Sequence, residues 1–452
     1  MLRVTELASA LGERTAWRNW GGNQQASPVV AQPADEAEVA ALLVCARERG
    51  LTVKPVGAGH SFTSAAATDG VQVRLDRLTG IRGFRGPGGD AAAGVGEVTV
   101  GAGTRLRDLN AALLAVGVAL PNLGDIDKQT VAGALATGTH GTGARLRGLA
   151  AGVTALRIAL PDGQIRSVDR STDPELFEAA RVGLGALGIV TQVTLQVVPA
   201  FLLRASERPE PLGPVLAGLD DEAQAHDHFE FYWFPHTDRT LVKRNDRVGA
   251  DVPRRPVPGW RARLDDDLLS NRLFEVTNRL TTARPALTSR VNGVAARVLS
   301  AREYVDHSHR VFISDRDVRF VESEWAFPRA ALPEVLGELR SWVDRSGETI
   351  SFPVEVRVAA ADDVWLSTAY DRDSGYVAIH QYHRVDPRRY FQAFEDIAIA
   401  FEGRPHWGKL HTRGPGYFRA RYPRFEEFLA VRDRVDPDRV MANAYTRQVL
   451  GE

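Results

Sequence analysis

The sequence predicts an α+β protein of two main units followed by a short tail. With 452 residues, the chain can form two or three domains of about 100–200 residues, each with its own core. Residues 1–200 alternate short strands with helices and are dense in glycine, whereas after Pro199 glycine thins and aromatic strands appear. That change of texture places a boundary near residue 200.

Each element has its own signal. A helix over about 35–50 follows the turn-like QPAD and stops at Gly50. The strand VKPV then leads into the turn GAGHS. VQVRLDRL, EVTVGAGT, ALRIALPDGQIRSV and GIVTQVTLQVVP read as strands from their β-branched content and alternation, with RLRDLNAALLAVG as a helix among them. In the second unit FEFYWFP and VRFVESEWAFP read as strands, and the Arg-rich stretch 245–306 as helical or partly mobile. RAALPEVLGELRSWVD and RRYFQAFEDIAIAF carry the 3.6-residue period of helices and flank the strands FPVEVRV and YVAIHQYH. The tail returns to Gly/Pro-rich loops and the helix PRFEEFLAVRDRV.

Composition excludes several classes. Hydrophobic residues make up 44% and charged residues 25%, ordinary values for a soluble globular chain. A net charge of −1 lacks the basic footprint of a nucleic-acid protein. No apolar run approaches the roughly 18 residues of a membrane span. The opening MLRVTELASALGERTAW has two glutamates and no apolar stretch, so it is no secretory signal. The lone Cys45 permits neither an internal disulfide nor a thiolate zinc cage, and its helical context makes it a core residue. A soluble cytoplasmic protein is the expectation. Only four of the 56 basic residues are lysine (Lys54, Lys128, Lys243, Lys409), so a lysine in this chain is a chosen residue.

Four glycine clusters mark the first unit: GAGHS (57–61), GAGT (101–104), GTHGTG (138–143) and GLGALG (183–188). The last has Rossmann spacing, but a strand follows where the nucleotide fingerprint needs a helix, which rules that site out. Glycine allows close backbone approach and positive φ, and successive free N–H groups form anion-binding nests. Each loop alone reads as a turn. Together, two His-bearing loops with adjacent Ser or Thr favour a shared polyanionic ligand such as a dinucleotide. His60 is either a loop histidine bonded to backbone or a ligand-facing imidazole.

PVGAGHSFTS, LPNLGDIDKQTVAGALATGTHGTG and GALGIVTQVTLQV, in this order, resemble the PCMH-type FAD domain of the vanillyl-alcohol-oxidase superfamily. With VEVR (354–357) and HWGK (406–409), the likeness is greatest to the aldonolactone oxidase branch, close to alditol oxidase. The resemblance implies a two-subdomain FAD-binding domain over 1–200 and a mixed α/β cap over 201–402. Residues 403–452 would return to the FAD domain and complete the active site. It implies FAD as cofactor, bonded covalently to His60 through the flavin 8α-methyl carbon. The cofactor contacts it implies are Val56, Gly57, Ala58, Gly59, His60, Ser61 and Phe62; Gly124 and Asp125; Thr130 and Gly133; Thr137, Gly138, Thr139, His140 and Gly141; and Ile189 and Val190.

Glu355 and Arg357 lie two apart on a strand, so both point to one face about 6.6 Å apart. A half-exposed strand with a surface ion pair is the alternative reading. The resemblance instead places the pair against substrate hydroxyl and flavin N5. Lys409 sits in a loop-like HWGK where a compact ammonium stands in an arginine-rich chain. Either Glu355 or Lys409 would accept the hydroxyl proton, and Arg357 would stabilise developing charge. Asp125, His380 and Tyr382 would face substrate, a sugar lactone or a polyol, with dioxygen as acceptor. Asp125 stands where polyol-oxidising members carry serine, and Tyr382 where they carry threonine. Gly124 falls at the family's oxygen gate, and glycine there implies an open gate.

No metal is expected, because the pairs His226/His228, His307/His309 and His380/His383 lack a zinc-site context. The remaining rivals are a dehydrogenase using another acceptor and a flavin carrier without turnover.

Overall fold

A computed structural model describes residues 14–87, 94–249, 251–258, 273–298, 300–314 and 318–451. Most of the opening segment MLRVTELASALGERTAW and the middle of the Arg-rich stretch lie outside these.

Two antiparallel sheets carry the molecule, and a small parallel sheet flanks the first. The first sheet runs in the order Ile165–Asp169, Val153–Ala159, Ile189–Pro199, Gly96–Gly101, Ile81–Arg85, with Val118–Ala119 added to the long central strand. That central strand alternates buried and partly exposed residues along Ile189–Gln196, the signature of a sheet covered on one face. The parallel sheet runs Val29–Ala31, Val71–Arg74, Val53–Val56. Pro55 is tolerated there because its strand is an edge. The helix Glu36–Glu48 packs Val39, Leu42, Leu43 and Ala46 onto this sheet, and Cys45 is buried in it. Asp35 starts the helix by accepting a hydrogen bond from the Glu38 N–H.

The second sheet has eight strands in the order Arg302–His307, Leu202–Pro211, Arg239–Val248, His228–Phe234, Val354–Ala359, Ser374–Tyr382, Phe320–Pro328, Arg404–Pro405. Its middle strands Val354–Ala359 and Ser374–Tyr382 are buried at every residue, so the half-exposed alternative for the Glu355 strand is excluded. The cause is cover on both faces. Val354, Val356 and Val358 meet Leu332, Val335, Leu339, Phe391 and Phe394 from the helices Leu332–Ser346 and Arg388–Ala400. The opposite face turns to the first unit, where the Gly143 N–H donates to Val358 O at 2.8 Å.

The Arg-rich stretch departs from its helical expectation at both ends. Residues up to Val248 continue the strand Arg239–Val248, and Arg302–His307 is an edge strand, while Leu273–Ala283 and Thr288–Val298 are helical. The tail joins the first unit's core: Trp407, Phe418, Tyr422, Phe425 and Phe428 pack with Leu106, Val131 and Leu156. Among the described residues no helix is long and apolar enough to cross a membrane.

Candidate active site

The first unit holds an open cleft. Its walls are the Trp17 side chain, the loop Val56–Ser61, Thr130 and Gly133, Thr137, the loop Gly183–Gly188, and Val190. Backbone and small side chains dominate, which suits close approach to a long polar ligand. Gly57 shows why glycine is required: a Cβ there would stand 2.4 Å from Thr130 Oγ1. Gly59 adopts φ +71°, a region glycine enters without strain. This shape and lining fit FAD, with the GAGHS loop and Thr130 along one side.

Of the residues expected to touch the cofactor, Val56, Gly57, Ala58, Gly59, His60, Ser61, Thr130, Gly133, Thr137 and Val190 line the cleft. Phe62, Gly138, Thr139, His140, Gly141, Ile189, Gly124 and Asp125 are not part of its wall. Ile189 and Phe62 are buried. His140 Nε2 lies 3.3 Å from Glu324 Oε1, and its ring stacks on Tyr376 at 3.7 Å. GLGALG is not a Rossmann turn, since the helix Pro174–Arg181 precedes it and a strand follows, yet it walls the cleft. Sequence reasoning missed that role, and it missed Lys54.

Lys54 is fully buried and donates to Gly185 O and Met441 O, each at 2.9 Å, and to Leu184 O at 3.5 Å. It fastens the Gly183–Gly188 wall to the tail. The scarcity of lysine was the one signal that could have found it.

His60 stacks on Trp20 with ring centroids 5.7 Å apart. Burial, with Lys128, Lys409 and Arg105 nearby, lowers its pKa to about 4, so the imidazole is neutral at physiological pH. The HWGK loop is tied directly to the GAGHS loop: the Phe62 N–H donates to Gly408 O at 2.7 Å and Thr63 Oγ1 to Trp407 O at 3.0 Å. Lys409 is thereby brought beside His60. Its Nζ lies 2.5 Å from Glu322 Oε2 and 5.4 Å from the centre of the Phe62 ring. Burial opposes its charge, but Glu322, Glu324 and Asp125 raise its pKa above the ordinary lysine value.

Glu355 and Arg357 form a buried ion pair on the face turned to the first unit. Arg357 also reaches Asp125 Oδ2 at 3.3 Å and Glu230 Oε2 at 3.1 Å. Against the cost of burial, Glu355, Asp125 and Glu230 hold the guanidinium pKa well above its ordinary value. The neighbouring strand supplies Tyr232, paired in register with Glu355, whose hydroxyl donates to Glu355 Oε1 at 2.9 Å. Lys243 Nζ lies 3.4 Å from Glu230 Oε1. Tyr232 and Glu230 were not singled out from sequence, and Lys243 only as one of four lysines, because only the sheet register brings them to this place.

Tyr232→Phe removes the hydroxyl that donates to Glu355 Oε1. At neutral pH it should slow turnover by about fivefold to tenfold, the worth of one hydrogen bond near 1 kcal/mol.

His380 and Tyr382 lie farther along the adjacent strand. His380 Nε2 is 3.7 Å from Glu322 Oε1, which places it one carboxylate away from Lys409. The Tyr382 hydroxyl instead donates to Glu275 Oε1 at 2.6 Å. Among the described residues the one His/carboxylate cluster with metal-like spacing is His140, Glu324 and His406, whose ligand atoms lie within 4.8 Å of one another. None of the histidine pairs weighed from sequence belongs to it. Burial works against the Glu324 carboxylate, but His140, Lys409 and His406 hold its pKa well below the usual range. Side chains already supply its counter-charge, and the cluster latches the GTHG loop to the HWGK loop.

The sequence profile described as D-arabinono-1,4-lactone oxidase matches residues 193–449, and that of the FAD binding domain matches residues 27–169. The chain belongs to the D-arabinono-1,4-lactone oxidase family. It is an FAD-dependent oxidoreductase. It is 40% identical to the L-gulono-1,4-lactone dehydrogenase of Mycobacterium tuberculosis, over 96% of this chain and 99% of that protein. Bos taurus L-gulonolactone oxidase is 33% identical over 96% of this chain and 98% of its own. Alditol oxidase of a Streptomyces species is 31% identical over 96% of this chain and 99% of its own. In fold, this lactone-oxidase-family chain is similar to cholesterol oxidase from Brevibacterium sterolicum, with TM-score 0.79, 18% identity and 97% of each chain covered.

Proposed function

We propose that this flavoenzyme oxidises a CH–OH group of a sugar 1,4-lactone, of the L-gulono or D-arabinono kind, with dioxygen as acceptor and hydrogen peroxide as product. One observation carries the reading: half-buried His60, Lys409 and Asp125 lead to buried Arg357 and Glu355. Bound FAD supplies the hydride acceptor at N5. His60, neutral and beside the cleft, is the side chain that would tether it. Glu355 accepts the hydroxyl proton, because Lys409 is held in its charged form by Glu322 and has no lone pair to offer. Arg357 offsets negative charge that develops on the substrate oxygen. Lys409 orients the substrate from the opposite loop.

The names of the relatives support a lactone over a polyol, and Asp125 beside Arg357 distinguishes this site from a serine-bearing one. The test is a panel of sugar 1,4-lactones and alditols mixed anaerobically with the purified protein, followed by air. Lactones should bleach the flavin fastest, and air should restore it with release of peroxide. Faster bleaching by alditols would move the assignment to a polyol oxidase. Reoxidation by dyes but not by air would make the protein a dehydrogenase.

Gly124 bears on that last outcome. A Cβ there would lie 3.2 Å from His140 O and 3.2 Å from Thr139 Cγ2, so the backbone here leaves little room. Gly124→Ala is expected to slow reoxidation by oxygen while sparing an artificial acceptor. If both rates fall together, Gly124 is a packing residue and not a gate.

A further inference from the structure

Arg357 is the group that a carboxylate-bearing substrate would seek, since a planar guanidinium binds a carboxylate through two parallel hydrogen bonds. Two of its three nitrogens are already engaged. Nε faces Glu230 Oε2 at 3.1 Å, and Nη2 is shared by Glu355 and Asp125 Oδ2, the latter at 3.3 Å. The proposed chemistry uses only Glu355 of these three acids. A second cation of the site, Lys409, is engaged by Glu322 at 2.5 Å, with Glu324 in its field.

Lys243 pairs with Glu230 at 3.4 Å and lies in the field of Glu207.

We infer that Asp125 and Glu230 are specificity-determining residues that reserve the site for uncharged lactones and polyols and exclude 2-hydroxy acids. The excluded class contains the open-chain aldonate that a lactone gives on hydrolysis, whose carboxylate adjoins the reacting carbon. Such a group would be the fourth anion on one guanidinium. Like-charge crowding at a buried contact is a strong discriminator, because repulsion there is little screened. The inference rests on the proposed lactone chemistry and sharpens it.

The test uses the FAD-loaded enzyme and three forms of one sugar: L-gulono-1,4-lactone, the open-chain carboxylate, and the open-chain carboxamide. The carboxamide separates charge from ring opening. Binding is read as the ligand-induced rise in thermal midpoint across a concentration series, and flavin bleaching is followed in parallel. The carboxylate should bind about 100-fold more weakly than the carboxamide, as several kcal/mol of like-charge repulsion implies. Asp125→Asn and Glu230→Gln, both isosteric, should each narrow that gap by about tenfold through the carboxylate alone. A structural defect would weaken both ligands together.

Equal binding of carboxylate and carboxamide by the unaltered protein overturns the inference and leaves the lactone reading standing. So does an isosteric variant that shifts both ligands equally. If the lactone neither binds nor bleaches the flavin, the lactone reading fails, and the inference fails with it. Should one variant not fold, the other decides whether these acids set the gap.

Discussion

Glu355→Gln is expected to lower the rate of flavin reduction by substrate about 10³-fold, within the range that a positioned proton acceptor contributes, with FAD still bound. Glutamine keeps the shape of the side chain and can still meet Arg357 and Tyr232, so the cleft is undisturbed. What it loses is the lone pair that takes the hydroxyl proton. Arg357→Ala would be the less clean experiment. It leaves Glu355, Asp125 and Glu230 buried without their common counter-charge. Breaking a buried pair from one side costs about 3–5 kcal/mol, so loss of activity would mix with loss of structure. Stopped-flow reduction of Glu355→Gln, with FAD content measured on the same sample, separates the two. An unchanged reduction rate would remove Glu355 from the chemistry.

Lys54→Met should have the largest effect on stability. The substitution fills the space but leaves Leu184 O, Gly185 O and Met441 O without their buried donor. At about 1–3 kcal/mol for each unsatisfied buried group, a loss of about 3–5 kcal/mol follows. Leu184 and Gly185 hold φ of +54° and +59°, so this wall of the cleft loses the clamp on a strained turn. Denaturant unfolding and FAD retention after gel filtration should both decline.

The same lysine gives a pH signature. Burial, opposed by Asp436, pushes its pKa down to about 7 from 10.5. Between those values the unfolded chain binds more protons at this site, so its contribution to stability rises with pH across that window. Below about 7 both states are protonated and the contribution is flat. The stability difference between Lys54→Met and the parent should therefore widen from neutral to alkaline pH. A variant of full stability and full FAD content would show that Lys54 is not the clamp.

Much of the cleft was legible because glycine reports backbone needs locally. Gly57 and Gly59 are fixed by contacts and dihedral angles that a sequence signals directly. The Glu355–Arg357 pair was legible from period-2 spacing, and Lys409 from its contrast with an arginine-rich background. The strand's burial on both faces was not, because valines alternate equally well in a half-exposed strand. Tyr232 and Glu230 belong to the same site only through cross-strand register, Tyr232 opposite Glu355 and Glu230 opposite Arg357. No local pattern encodes a partner more than a hundred residues away. GLGALG shows the complementary failure. Its topology was read correctly, but rejecting one kind of nucleotide turn hid its service as a wall for another. The contact of His140 with Glu324, on a distant strand, was likewise beyond any local pattern.

One preparation tests the flavin tether most directly. The purified protein is precipitated with acid, and the pellet is examined for flavin colour and fluorescence. Flavin that stays with the chain, and is released or absent in His60→Ala, is the predicted result. A preparation that never holds flavin, even after incubation with FAD, would contradict the cleft assignment and with it the proposed chemistry.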